Sequence, residues 1–195
     1  MEAMNTEPHP YILALGDSLT AGYGLDPSAS FAARLQALLR ERLPDAAVNN
    51  AGVSGDTTEG ALRRLPRLLA GLPQRPDLAV VELGANDLLR GLPPERTRAN
   101  LDAILLELGR CTIPVLLATI EPPAFLAGHY GGIYAEVAGR HGAATAPFFP
   151  PGVLGHPDLV LADRVHPNAR AIELVAAGFM PAVLAALGVA RAEAA

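Results

Sequence analysis

Tyr11-Ile12-Leu13-Ala14-Leu15-Gly16-Asp17-Ser18-Leu19 sets a short apolar run directly before a Gly-Asp-Ser turn. A continuous apolar run of this length, closed by turn residues, reads as a strand buried on both faces. Phe31, Leu35, Leu38 and Leu39 then recur at i, i+4, i+7 and i+8, which is one face of a helix. The unit repeats along the chain. Residues 47–50 read as a weaker strand, and 58–69 as a helix that Pro66 should kink or interrupt. Residues 78–83 are the clearest buried strand, 94–108 a helix with Leu101, Leu105 and Leu108 on one side, and 114–120 another strand. A helix over 133–140 and a short strand over 144–148 follow. The terminal helix carries Ile172, Val175 and Phe179, takes Asn168 as its N-cap and should bend at Pro181. Strands that alternate with helices need crossover connections, so the fold class is α/β: a three-layer α/β/α arrangement with a parallel sheet of about five strands.

In such sheets ligands bind beyond the carboxyl ends of the strands. Ser18, Gly55 and Asn86 each follow one of the first three strands. A serine hydroxyl is a poor nucleophile until a base takes its proton, and the base needs a third group to hold its tautomer. Asp163-Arg164-Val165-His166-Pro167-Asn168 can supply both partners, because positions i and i+3 of a helical turn lie about 5–6 Å apart at Cβ. Acyl transfer also needs donors aimed at the growing oxyanion. Val53-Ser54-Gly55-Asp56-Thr57 offers a glycine N–H, Gly84-Ala85-Asn86-Asp87 offers the Asn86 carboxamide, and the Ser18 N–H is a third donor.

These four segments, in this order, resemble the four blocks of the SGNH hydrolase superfamily, also called the GDSL family. Ser18, Gly55, Asn86 and His166 match its four name-giving residues, and the similarity spans nearly the whole chain. It is nearest to the small bacterial arylesterase, thioesterase and lysophospholipase branch, through Leu65-Pro66, Val81-Glu82-Leu83-Gly84, Pro147-Phe148-Phe149 and His166-Pro167-Asn168. Ala85 is a departure, since related enzymes often carry glycine there. The resemblance implies a flavodoxin-like strand order, a catalytic Ser18, Asp163 and His166, and an oxyanion hole of Ser18, Gly55 and Asn86. It also implies hydrolysis of small-molecule acyl or aryl esters through an acyl-enzyme, with no cofactor and no metal.

Each motif has a plainer reading. Gly-Asp-Ser alone is a common turn, Asp56 or Thr57 is an ordinary helix N-cap, and Asn86-Asp87 can simply close a strand. It is the ordered set that carries chemistry. Asp17 and Asp87 fit turn-organising roles beside the site. His9 falls in a polar tail over residues 1–9, His141 in the last turn of a helix, and His129 and His156 in loops. Two other functions compete with ester hydrolysis. A metal-dependent phosphoesterase would gather Asp17, Asp56, Asp87 and His166 around a cation, but the paired Asp-x-His and Gly-His-x-His motifs of a two-metal site are missing. A flavodoxin-like binding module without catalysis would not need Ser18, Asp163 and His166 together. Neither Gly-x-Gly-x-x-Gly nor a P-loop lysine supports a nucleotide ligand.

Composition narrows the remaining choices. At 195 residues, half of them hydrophobic, the chain suits one domain with a substantial core. A net charge of −5, with all 15 basic residues arginine, leaves no polybasic run for nucleic acid. Cys111 is the only cysteine, which excludes an internal disulfide, and its place at a helix end suits a small buried residue. No uninterrupted apolar stretch approaches the roughly 18 residues of a transmembrane segment. The polar start, Met1-Glu2-Ala3-Met4-Asn5-Thr6-Glu7, lacks the pattern of a secretory signal, so the chain as written is expected in the cytoplasm, or in the periplasm or medium if a native leader was removed. Oligomeric state leaves no trace in the sequence. Phe125, Leu126, Val153 and Leu154 lie in Pro/Gly-rich loops and are expected to line an acyl-chain groove, while Phe148 and Phe149 suit pinning their loop to the core.

Overall fold

In a computed structural model of the protein, residues 9–121 and 130–189 are described. Five strands form one parallel sheet: β1 Tyr11–Gly16, β2 Ala47–Gly52, β3 Leu78–Glu82, β4 Val115–Thr119 and β5 Ala144–Pro147. Their spatial order is β2-β1-β3-β4-β5. The chain therefore steps from β1 to one side, then crosses back to the other, and the strand order switches direction beside β1. Such a switch point opens a crevice at the carboxyl edge.

Side chains alternate between the two faces of each strand, so each strand feeds two cores. On one face Ile12, Val80 and Leu116 pack under α2 (Phe31–Arg40) and under the terminal helix Ala169–Ala186. On the other, Leu13, Leu15, Val81 and Leu117 pack under α3 (Thr58–Ala70), α5 (Pro94–Arg110) and α6 (Ile133–His141). Two short helices, α1 (Ser18–Ala21) and α4 (Ala85–Leu89), lead off β1 and β3. The terminal helix, α7, is long and apolar enough by length and composition to cross a membrane, yet Ile172, Val175, Phe179 and Val183 are buried on the sheet, as in a core helix.

Helix boundaries follow their caps. The Asn168 side chain accepts from the Ala171 N–H at the start of α7, and Thr57 does the same for the Gly60 N–H at the start of α3. Neither proline breaks its helix. Pro66 and Pro181 lie on exposed faces of α3 and α7, where the carbonyl that loses its intrahelical donor can turn to water. Cys111 is half-buried at the C-cap of α5 rather than enclosed, because the chain leaves the helix there in a turn that leads into β4.

The Pro147-Phe148-Phe149 segment behaves as a pin. Phe148 is fully buried and meets Phe31 at 5.1 Å and Phe179 at 6.3 Å, edge-on, with Phe149 standing on it at 5.1 Å. Val153 joins the same cluster at 6% exposure. Truncating Phe148 to alanine removes one side of this aromatic contact and leaves a void, so Phe148→Ala should lower stability by about 3–5 kcal/mol. The midpoint and slope of urea unfolding measure it; a loss under about 1 kcal/mol would mean that the loop, not the core, holds this ring.

Candidate active site

The register of the sheet brings three strand ends level. Gly16 at the end of β1 pairs with Gly52 of β2 on one side and Glu82 of β3 on the other. The next few residues of each strand carry Ser18, Gly55 and Asn86. Close approach is built in at Gly52, where an added Cβ would fall 2.3 Å from the Ala21 N atom and push α1 off the sheet.

Ser18 opens α1 behind Asp17, whose side chain caps the helix by accepting from the Leu19 N–H at 3.0 Å. Ser18 is only 8% exposed, and its Oγ stands 3.0 Å from His166 Nε2. His166 Nδ1 in turn lies 2.7 Å from Asp163 Oδ2. An ionised carboxylate only accepts, so Nδ1 carries the proton and Nε2 presents its lone pair to the serine hydroxyl. The three polar groups are thus connected in the order that proton transfer from Ser18 requires.

The Asp163–His166 spacing works differently from a helical turn. Asp163 Oδ1 accepts from the backbone N–H groups of Val165 (2.9 Å) and His166 (3.0 Å), and Arg164 between them has φ +59°. A carboxylate-centred loop holds the pair, because an aspartate side chain can mimic a backbone turn. Hydrogen bonds from Leu161 N–H to the His166 carbonyl and from Asn168 N–H to the Leu159 carbonyl tie this loop at both ends. Tyr23, which sequence periodicity did not single out, lies against the face of the imidazole with ring centroids 4.3 Å apart.

The expected oxyanion donors converge less simply. Among the described residues, the backbone N–H groups of Ser18 and Gly55 have no protein acceptor. Gly55 sits at φ +79°, and its carbonyl is held by Arg90 Nη2 at 2.6 Å, which fixes the orientation of the neighbouring peptide. Asn86 Nδ2, by contrast, already donates to Asp17 Oδ2 and to the Asp56 carbonyl, both at 2.9 Å. An oxyanion must therefore share one of these hydrogens in a three-centre bond. Arg64 braces the same loop, donating to Asp56 Oδ2 at 2.7 Å and to the Gly16 carbonyl at 3.2 Å.

Asp87 is buried and accepts from Thr58 N–H, Thr58 Oγ1 and Thr97 Oγ1, so it anchors the starts of α3 and α5. Asn86-Asp87 opens α4 rather than closing β3. The carboxylates that a cation would need are thus committed separately: Asp17 to Leu19 and Asn86, Asp56 to Arg64, and Asp87 to two threonines. His156 caps a single 3-10 turn, His141 pairs with Asp102 at 3.0 Å, and His9 pairs with Asp45.

Of the expected groove residues, Phe125 and Leu126 lie outside the described residues, as does His129. Val153 faces the core instead of a groove, since its loop must cover Phe148. Leu154 is 55% exposed and borders a cavity of about 310 Å³ at the carboxyl ends of β4 and β5, together with Thr119, Phe149 and Pro151. Tyr23, Val53, Leu89 and Val165 add exposed apolar surface next to Ser18, Gly55, Asn86 and His166 in the chain. Of these, Tyr23 is the one in contact with a residue of the relay, His166.

A parallel α/β sheet that carries a linked Ser, His and Asp at its carboxyl edge has the architecture of a serine hydrolase. Residues 14–174 match the GDSL-like Lipase/Acylhydrolase family, and the chain belongs to it. It is 39% identical over 164 residues to esterase TesA of Pseudomonas aeruginosa, covering 82% of this chain and 81% of the relative. It is 36% identical over 169 residues to thioesterase 1/protease 1/lysophospholipase L1 of Escherichia coli strain K12, covering 85% and 79%. Among solved structures, AlinE4, an SGNH-hydrolase family esterase, superposes with a TM-score of 0.76 at 46% identity, covering 92% of this chain and 97% of that one. The family is one of serine esterases, and the strand order seen here is its three-layer α/β/α fold.

The charge state of Asp163 follows from its contacts. The Val165 N–H, the His166 ring and the His166 N–H hold its carboxyl down at about 2. A carboxyl lowered in the folded state stabilises the fold above its unfolded value of about 3.9, and that contribution is lost as pH falls toward about 2. Asp163→Asn should therefore flatten the acid dependence of the urea midpoint between about pH 4 and pH 2 relative to the unsubstituted protein. An unchanged slope would show that the loop, rather than the charge, holds the pair.

Proposed function

We propose that the chain hydrolyses carboxylic esters and thioesters through an acyl-enzyme on Ser18. The observation that carries this reading is the unbroken relay from Ser18 Oγ through both nitrogens of His166 to Asp163. As Ser18 Oγ attacks the carbonyl carbon, its proton passes to His166 Nε2, and the carbonyl electrons move onto oxygen. The Ser18 and Gly55 N–H groups and the Asn86 carboxamide meet that oxyanion. When the tetrahedral intermediate collapses, His166 returns the proton to the leaving alcohol or thiol. Water then repeats the sequence: His166 takes its proton, the second tetrahedral intermediate releases the carboxylic acid, and Ser18 regains its hydrogen. Asp163 holds the ring in the required tautomer and stabilises the imidazolium in both halves.

Ser18→Ala and His166→Ala should each abolish turnover of p-nitrophenyl esters while unfolding remains cooperative, because members of a triad act as a unit. A serine-directed organophosphonate should label the unsubstituted protein once and Ser18→Ala not at all. Near-normal turnover by either variant, after repurification, would refute the assignment. Asn86→Ala should lower kcat by the equivalent of about 2.7–4 kcal/mol and leave KM nearly unchanged, since the oxyanion exists only in the transition state. An unchanged kcat with a raised KM would make Asn86 a ground-state contact instead.

The exposed apolar side chains of Tyr23, Val53, Leu89 and Val165, near the site residues in the chain, support acyl or aryl esters over sugar esters, and the limited cavity of about 310 Å³ beside Leu154 supports short to medium chains. Each methylene that finds a wall adds at most about 0.8 kcal/mol. Values of kcat/KM for p-nitrophenyl esters should rise with acyl length and then level off or fall. A monotonic rise through long chains would contradict a short groove and leave the triad untouched.

A further inference from the structure

Beneath the site lie two carboxyl groups that the hydrolysis scheme above does not use. Asp17 and Glu82 are both completely buried, at the level where β1 and β3 end side by side. Glu82 Oε2 accepts from Thr20 Oγ1 at 2.9 Å. Glu82 Oε1 is buried and completes no hydrogen bond, although the Asp17 backbone N–H lies close enough to the carboxyl to oppose part of its upward shift. The Asp17 carboxyl is within hydrogen-bonding reach of Glu82, and its own oxygens accept from the Leu19 N–H and from Asn86 Nδ2. Two carboxylates cannot satisfy each other; a proton between them lets one donate.

We infer that Glu82 donates a retained proton to Asp17, and that this carboxyl pair is a positioning device for the Asn86 carboxamide. The inference rests on the reading of Asn86 as an oxyanion donor. Its logic is electrostatic. Asp17 is the acceptor that orients Nδ2, and an isolated buried carboxylate would grip that hydrogen hard enough to compete with the oxyanion. A fully protonated Asp17 would instead lose the acceptor that Asn86 needs. One proton shared with Glu82 keeps Asp17 an acceptor while spreading its charge over the pair.

The surroundings favour this single-proton state. Burial, and then the nearby Asp17 charge, push the Glu82 carboxyl far above the usual carboxylate range. Burial raises Asp17 only to about 6, because the Leu19 N–H, Asn86, Glu82 and the charge of His166 all favour its ionised form. Both Asp17 oxygens already accept hydrogen bonds while Glu82 Oε1 accepts none, which places the shared proton on Glu82. Tyr134, which donates to the Leu83 carbonyl from α6, is held neutral chiefly by burial.

Substitutions at Glu82 test the device. Glu82→Gln keeps a donor toward Asp17 without a titratable proton, and Glu82→Leu removes the donor with an apolar side chain of similar bulk that the core tolerates. Glu82→Leu should lower kcat by about tenfold or more with KM changed less than about twofold, whereas Glu82→Gln should stay within about threefold of the starting kcat. In an Asn86→Ala background, Glu82→Leu should cost less than about twofold, because a residue that acts through Asn86 has nothing left to act on. Cooperative urea unfolding verifies that each variant folds. The inference is overturned if Glu82→Leu keeps full kcat, if its effect falls on KM, if Glu82→Gln is as damaging, or if the loss persists undiminished without Asn86. Asn86→Ala alone reports separately on the oxyanion reading: a normal kcat there removes the premise rather than the pair.

Discussion

The alignment of three parallel strand ends at Gly16, Gly52 and Glu82 is the constraint on which the site depends. Ser18, Gly55 and Asn86 come from segments far apart in the chain, and the hydrogen bonds from Asn86 to Asp17 and to the Asp56 carbonyl join them only once the strand ends are level. They meet because β1 lies between β2 and β3, and because each strand stops at the same height. A slip of one residue in either pairing would turn the buried face of a strand toward the wrong helices, so the two apolar cores hold the register and the register holds the chemistry. Stability and catalysis are coupled here first through this geometry.

Electrostatics divides the site into two unlike regions. Asp163 is in contact with water, is met by two backbone N–H groups and stays ionised over nearly the whole pH range. Asp17 and Glu82 have the same functional group in a dry setting, where ionisation of both would place two like charges against each other. The exposed carboxylate sits behind the imidazole that must become positive. The buried pair sits behind the carboxamide that must face a negative oxygen. Solvent exposure, not residue type, separates these tasks.

Much of this arrangement is legible in the sequence, and the reasons differ by element. β1, β3, β4 and the principal helices show in apolar patterning because each buries most of its length or one face, whereas β2 and β5 are largely half-buried or exposed and show mainly through the alternation of strand and helix around them. Ser18, His166, Asp163, Gly55 and Asn86 can be picked out because they sit in short motifs after strands or in a compact Asp-x-x-His loop, and the structure brings them to one edge. The mode of the Asp163–His166 contact is not legible, since a helical turn and a carboxylate-centred turn give the same spacing. Pro66 does not interrupt α3, and α7 likewise runs on through Pro181, because the cost of proline depends on whether the freed carbonyl reaches water, which is a matter of exposure. Val153 misleads, since a lone apolar residue in a loop does not reveal whether it points to a ligand or to the core. Tyr23 and Arg90 leave no signal beyond their own identity, and Glu82 shows only as a member of the Val81-Glu82-Leu83-Gly84 segment, because what each touches is distant in the chain.

The distribution of this information follows from the fold. Residues that build the sheet repeat with a period, so many positions report the same fact. Residues that tune the site act once each, through a single ring face, a guanidinium on one carbonyl, or a proton between two carboxyls. Changes to Tyr23, Val53, Leu89 and Val165 leave both cores intact, so the exposed apolar surface near the site residues in the chain can vary independently of the sheet. Asp17 has no such freedom: it caps α1, orients Asn86 and faces Glu82, so one substitution there disturbs nucleophile, oxyanion donor and buried pair together.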